Sequence, residues 1–398
     1  MRTRPRHLVS AMAIAMGAFA AMPALDGAPA AAELGAAIPG LTAEETARFE
    51  AGREAFAETE VAADGLGPVF NGDSCAACHS DPAVGGGGTR VETRFGRRRR
   101  GAFDPLDALG GSLLQDQGIG RAGACDFGAE VVPPEANVTA GRRTTPLFGL
   151  GLVDAVPDDA LTALAALERV RRPQTAGRPH LVQDAVSGKT RVGRFGWKSQ
   201  VASLLHFSAD AYLNEMGVTT PIFPNENCPN GDCALLACDP VADPEDEGED
   251  MVAFADFMAL LAPPSPRLAS FGRERARGGR DVFDRIGCAD CHLPTLRSGP
   301  SEIAALANRE FAPYSDFLLH DMGSLGDGID QGDAKGREMR TAPLWGLHAI
   351  SRFLHDGRAA TVEDAILAHD GQARTSRDRY RTLGREERTR LLDFLKSL

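Results

Sequence analysis

The stretch DSCAACHSD sets two thiols three residues apart with an imidazole directly behind the second: Cys75, Cys78 and His79. That spacing suits three chemistries: a redox dithiol, half of a zinc site, or covalent attachment of a c-type haem. The pattern recurs in IGCADCHLP, as Cys288, Cys291 and His292. A thioredoxin-like dithiol needs a strand-to-helix context, and no βαβ pattern surrounds either motif. Four-ligand zinc needs a second Cys/His pair close by, and the next cysteine after Cys78 is Cys125. Haem attachment uses every residue of both motifs: the thiols form thioethers to the vinyl groups and the imidazole reaches the iron. The motifs therefore read as two covalently attached c-type haems.

The elements that must position these motifs are themselves repeated. GREAFAE precedes the first motif and GRDVFDR the second; RTTPLFGL follows the first and RTAPLWGL the second; FADFMALLAPP is answered by LLDFLKSL. The order is the same in both copies, which marks an internal duplication lengthened in its first copy by loop insertions. EETARFEAGREAFAE spaces Phe49, Arg53 and Phe56 near one helical face, and RTRLLDFLKSL carries Leu391, Leu395 and Leu398 at i, i+4 and i+7. No run shows sustained strand alternation, and Gly and Pro dominate the connections. The expected fold is all-α, two cytochrome c-like domains at 33–262 and 269–398, divided by the prolines of LLAPPSPRLAS.

The 398 residues are 43% hydrophobic and 25% charged, with net charge −12 and a pI near 5.3. That acidity argues against nucleic acid as a partner. Arg97–Arg100 is the local exception, read as a solvated loop, with a docking patch for an acidic redox partner as the alternative. Residues 1–32 join Arg2, Arg4 and Arg6 to an apolar core over Leu8–Met22 and small-residue cleavage options, the pattern of an export signal. The mature protein is thus expected in the periplasm or otherwise outside the cytoplasm, with no membrane span. In an oxidising compartment Cys125, Cys228, Cys233 and Cys238 allow two disulfides in three connectivities.

The two motifs, their order and phrases such as GRFGWKSQVASLLHFSADAYLNEMG and YSDFLLHDMGSLGDG resemble the family of di-haem oxidoreductases related to bacterial di-haem cytochrome c peroxidases. In those peroxidases the distal ligand of the C-terminal haem lies fourteen residues beyond a histidine in an H-(D/S)-G phrase. Here that histidine is His355, and His369 stands fourteen residues on, where the relatives have Met or Tyr. The resemblance also implies a tryptophan between the haems, Trp197, and a proton-moving glutamate in E-M-G, Glu215. His206 falls close to a distal-pocket glutamine of the relatives, lining the N-terminal haem or capping it. A calcium between the domains is common among the relatives, but Ile350 and Arg352 replace their Thr and Pro, which puts that calcium in doubt.

Physically, heterolysis of a peroxide needs a group that takes the proton from one oxygen and delivers it to the other. A carboxyl at Glu215 or an imidazole at His206 meets that need, and an electron carrier has use for neither. The resulting expectation is a peroxidase-type enzyme. Electrons enter at the C-terminal haem from a small donor protein (a cytochrome or cupredoxin), pass Trp197, and reduce a small oxidant such as peroxide at the N-terminal haem. The rivals are a pure electron-transfer cytochrome and a di-haem oxygenase or protein-modifying oxidase.

Overall fold

The repeated glycines and phenylalanines of GREAFAE and GRDVFDR mark where the helices of each copy cross. The computed structural model describes residues 33–267, 270 and 272–398; the expected export signal lies outside them. Helix Ala43–Ala57 starts at a capping box, Thr42 accepting from the Glu45 N–H while the Glu45 side chain accepts from the Thr42 N–H. It buries Phe49, Gly52 and Phe56 against helix Glu249–Leu260. A Cβ on Gly52 would stand 2.3 Å from the Ala253 carbonyl, so only glycine lets the two backbones approach this closely. Phe56 then packs edge-on to Phe254 at 6.2 Å.

The second copy repeats this arrangement. Helix Arg273–Ile286 crosses helix Arg385–Lys396 at Gly279, whose Cβ would lie 2.1 Å from the Arg390 carbonyl, and Phe283 meets Phe394 at 5.6 Å. The phrases RTTPLFGL and RTAPLWGL end alike. Gly149 (φ +73°) donates to the Leu261 carbonyl and Gly346 (φ +72°) to that of Leu398, each just after the second helix of its copy.

The architecture is not all-α. Helix accounts for 36% and strand for 17%. Strand Val91–Arg99 pairs antiparallel with Ala102–Asp104, Leu113–Leu114 and Val138–Arg143, placing Glu92 opposite Arg142. Two further hairpins pair His180–Asp184 with Lys189–Gly193 and Leu319–Asp321 with Glu338–Arg340. These strands escaped sequence patterning because they are short, and because the longest carries charge on a shielded face. Glu92 and Arg94 neutralise each other there instead of alternating with apolar residues. The basic run Arg97–Arg100 is likewise not a loop. It ends that strand and turns the hairpin, with Arg97 paired to Asp104 and Arg98 to Asp330.

Buried apolar side chains form two clusters. One joins Phe49, Phe56, Phe254 and Phe257 to Phe311, Phe317 and Trp345 from far along the chain; the other gathers Phe283, Tyr314, Tyr380, Leu391 and Phe394. Of the four remaining cysteines, Cys125 pairs with Cys238 and Cys228 with Cys233. Among the described residues no helix is long and apolar enough to cross a membrane.

Candidate functional site

The second motif leaves helix Arg273–Ile286 through Gly287, at φ +91°, and closes a tight turn in which the His292 N–H bonds the Cys288 carbonyl at 3.0 Å. His292 Nδ1 lies 3.0 Å from the Tyr314 carbonyl. Opposite it stands His369, at the end of helix Val362–Ala368, with Nδ1 2.7 Å from the Ala365 carbonyl. The ring centroids are 6.4 Å apart and the planes 54° apart. Both Nδ1 atoms are held by carbonyls, so Nε2 is the nitrogen each ring can offer to a metal. Two imidazoles held at about 2 Å from one ion have their centroids roughly this far apart, so a single iron fits between them. Burial lowers both pKa values, that of His292 to about 4, which keeps both rings neutral as ligation requires.

These groups line a cavity of about 260 Å³ together with Cys288, Cys291, Trp197 and His355. Its walls are mainly apolar, as a porphyrin requires. Arg143 and Arg340, equivalent residues of the two RT-x-PL phrases, also line it. Among the described residues neither has a carboxylate partner. Arg143 donates to the Gly88 and Arg352 carbonyls, and Arg340 to those of Gly196 and Thr341. Burial lowers the Arg340 pKa to about 10. Two guanidiniums with spare donors suit the propionates of a haem.

His320 and His348 do not compete with His369. His320 spends Nε2 on Asp316, at 2.9 Å, and Nδ1 on the Cys291 sulfur, at 3.4 Å; His348 Nδ1 rests on the Leu398 carbonyl. Trp197 sits on the cavity wall, donating Nε1–H to the Arg143 carbonyl at 3.0 Å and meeting His355 edge-on at 6.2 Å. Its neighbour Lys198 is fully buried and ion-paired with Asp327 at 3.0 Å, and Asp327 also takes Arg142 at 2.8 Å.

At the first motif Ser74 caps the single turn Cys75–Cys78. His79 repeats the arrangement of His292, with Nδ1 3.1 Å from the Gly86 carbonyl and its pKa lowered to about 4 by burial. The thiols of Cys75 and Cys78 are pushed up to about 12 and about 11, chiefly by burial. Such thiols are not the low-pKa nucleophiles of a redox dithiol. Among the described residues no second imidazole meets His79 as His369 meets His292; its ring contact is with Phe56.

Glu215 lies on a π-turn, Tyr212–Met216, that follows helix Leu204–Ala211 and ends at Gly217. Such turns widen a helix by one residue and often serve function. The turn is docked by the N–H groups of Asn71 and Gly72, four and three residues before Cys75, which donate to the Glu215 carbonyl. Asn71 Nδ2 donates to Glu215 Oε2 at 2.9 Å, and the carboxyl also hydrogen-bonds Glu92. Burial and the Glu92 charge raise the Glu215 pKa well above the carboxylate range. Burial opposes the charge on Glu92 too, but Arg94, at 2.9 Å, outweighs it and holds Glu92 ionised. The surroundings thus favour the protonated form at Glu215 and the ionised form at Glu92.

His206, on the preceding helix, has Nδ1 3.2 Å from the Ala185 N–H and 3.4 Å from Asp184. Asp210 lies within electrostatic reach of His206, Arg94 and Glu92. Sequence reasoning reached Glu215 and His206 but missed Glu92, Arg94, Asn71 and Asp210. The alternation in V-E-T-R, which sets Glu92 and Arg94 on one strand face, was the available signal.

A family model described as "Di-haem oxidoreductase, putative peroxidase" matches residues 134–398. The chain belongs to that family, whose members carry two haems. Among solved structures it is similar to the diheme peroxidase BthA from Burkholderia thailandensis E264, at 13% identity over 88% of this chain and 86% of that one, with a TM-score of 0.39. It is also similar to a MauG-like protein associated with microbial copper homeostasis (15%, 90% and 89%, 0.39) and to hydrazine synthase from Kuenenia stuttgartiensis (15%, 100% and 100%, 0.36). No curated protein matches.

Proposed function

We propose that the protein is an exported di-haem c-type cytochrome that reduces a peroxide with electrons from a small redox protein. Each copy, 33–262 and 269–398, serves one haem, held through Cys75, Cys78 and His79 or through Cys288, Cys291 and His292. Bound in this way, the haems supply one-electron transfer and activation of the peroxide O–O bond.

The two copies divide the work. At the second motif His292 and His369 face each other and both would hold the iron, which suits electron entry. Among the described residues no second imidazole faces His79, and substrate would bind beside it. Glu215 holds the proton that the leaving oxygen needs, burial and the Glu92 charge keep its affinity for that proton high, and Asn71 fixes its orientation. His206 and Asp210 extend this polar side. Trp197 lies on the wall of the C-terminal cavity and bonds strand Val138–Arg143, which pairs with the strand carrying Glu92. That contact is a packed route between the two sites.

The observation that carries the reading is the Glu215 carboxyl, bonded to Asn71 and facing Glu92 beside the first attachment motif. Glu215→Gln should lower peroxide turnover roughly 10²–10⁴-fold, the range for a lost general acid–base, with both haems retained. Unchanged turnover would remove Glu215 from the mechanism. A wild type that turns over no peroxide and stays low-spin at both irons would be an electron carrier instead.

A further inference from the structure

The first copy's disulfide-bonded insertion contains a second group of acids, remote in role from the attachment motifs. Glu226, Asp239, Asp243 and Glu245 each direct a carboxylate oxygen inward so that all four lie within 4.8 Å of one another. Among the described residues none of the four forms an ion pair with Lys or Arg. Like charges gathered this tightly repel one another, and among the described residues no paired cation offsets them.

Two of the oxygens lack any partner. Glu226 Oε2 and Glu245 Oε1 are both buried without a hydrogen bond, and Glu226 as a whole is only 8% exposed. A buried carboxylate oxygen aimed into a group of other carboxylates, with no donor to meet it, is among the least favourable arrangements a chain can adopt alone. The remaining oxygens are oriented by local donors. The Asn227 N–H donates to Glu226 Oε1 at 2.7 Å and that of Val241 to Asp239 Oδ1 at 3.4 Å. The Thr219 hydroxyl reaches Asp243 Oδ1 at 2.8 Å and also Glu245 Oε2, which takes the Thr219 N–H at 2.7 Å. The scaffold is covalently tied: Asp239 follows Cys238, bonded to Cys125, and Glu226 stands two residues before Cys228, bonded to Cys233.

We propose that Glu226, Asp239, Asp243 and Glu245 bind a hard divalent cation of the calcium class. Oxygens held at about 2.3–2.6 Å from one such ion lie at most about 5 Å apart, which the 4.8 Å spread satisfies. An all-carboxylate donor set disfavours zinc and copper, and magnesium demands a tighter octahedron. This site differs from the calcium that relatives hold between their domains. It lies wholly within the insertion and needs no residue of the second copy.

The test uses the full-length protein with its haems, stripped with chelator and titrated with CaCl2 by calorimetry. Wild type should bind Ca²⁺, and Glu226→Gln/Glu245→Gln should bind one Ca²⁺ fewer per chain. Asp243 is exposed, so Asp243→Asn tests the site even if the double variant fails to fold. It should weaken the same binding event at least about tenfold and reduce the rise in Tm on adding Ca²⁺. Excess Mg²⁺ should not displace the ion. Equal Ca²⁺ stoichiometry and affinity in wild type and Asp243→Asn, or no Ca²⁺ bound by wild type at millimolar concentration, would overturn the proposal.

Discussion

Glu92 and Glu215 meet carboxyl to carboxyl beside the first CxxCH motif, where burial and the Glu92 charge favour the protonated form of Glu215. One comes from a strand and the other from a π-turn, so the pair exists only once the sheet and helix have docked. Arg94 decides which partner ionises, because its guanidinium faces Glu92 from the same strand face.

That assignment makes stability depend on pH in a definite direction. Glu215 titrates near 4.5 when unfolded and well above that value when folded. Its contribution to stability is therefore complete below about pH 4.5 and is lost as pH rises through the elevated folded value. Glu215→Gln removes the titration, so its urea midpoint should gain on wild type as pH is raised. Parallel midpoint curves would show that Glu215 is ionised at neutral pH.

The neighbour can be tested separately. Glu92→Gln removes the charge that opposes ionisation and frees Arg94 to favour it, so the Glu215 pKa should fall. The infrared band of its protonated carboxyl, assigned by its loss in Glu215→Gln, should vanish at lower pH in Glu92→Gln than in wild type.

Haem content tests attachment. Replacing Cys75 and Cys78 by Ala should leave one haem per chain, and so should replacing Cys288 and Cys291. Pyridine haemochrome counts of two in either variant would contradict thioether attachment at that motif.

His369→Met should raise the midpoint potential of one haem and leave the other unchanged, because a thioether favours ferrous iron more than an imidazole does. A redox titration with both potentials unmoved would show that His369 does not bind iron.

Asp327 ion-pairs with two buried cations at once, Arg142 and Lys198, which burial alone would drive towards deprotonation. Asp327→Asn should destabilise the fold by about 3–5 kcal/mol, the usual loss when one partner of a buried pair is removed. Equilibrium urea unfolding measures this directly, and a change near zero would mean that water reaches the pair.

The sequence by itself determined what is local or repeated. CxxCH dictates its own turn, and the two copies of GR-x-x-F, RT-x-PL and the closing amphipathic helix place Gly52 with Gly279 and Phe56 with Phe283 as structural equivalents. A helix crossing needs a missing Cβ and an aromatic one turn on, and both can be read from a single chain. His369 came instead from the resemblance to di-haem peroxidases, which place a ligand fourteen residues beyond the histidine of an H-(D/S)-G phrase, and the tertiary structure sets its ring opposite His292. The strands were not legible. Their inward face carries Glu92, Arg94 and Arg142, whose burial is tolerable only because partners from other elements arrive there, and no alternation of apolar residues announces that. Disulfide connectivity, the unpartnered oxygens of Glu226 and Glu245, and the meeting of Glu215 with Glu92 belong to the same class. Each depends on which distant groups share a small desolvated volume, and that is decided by tertiary packing, because interactions between charges and dipoles in such a volume depend on distance rather than on order along the chain.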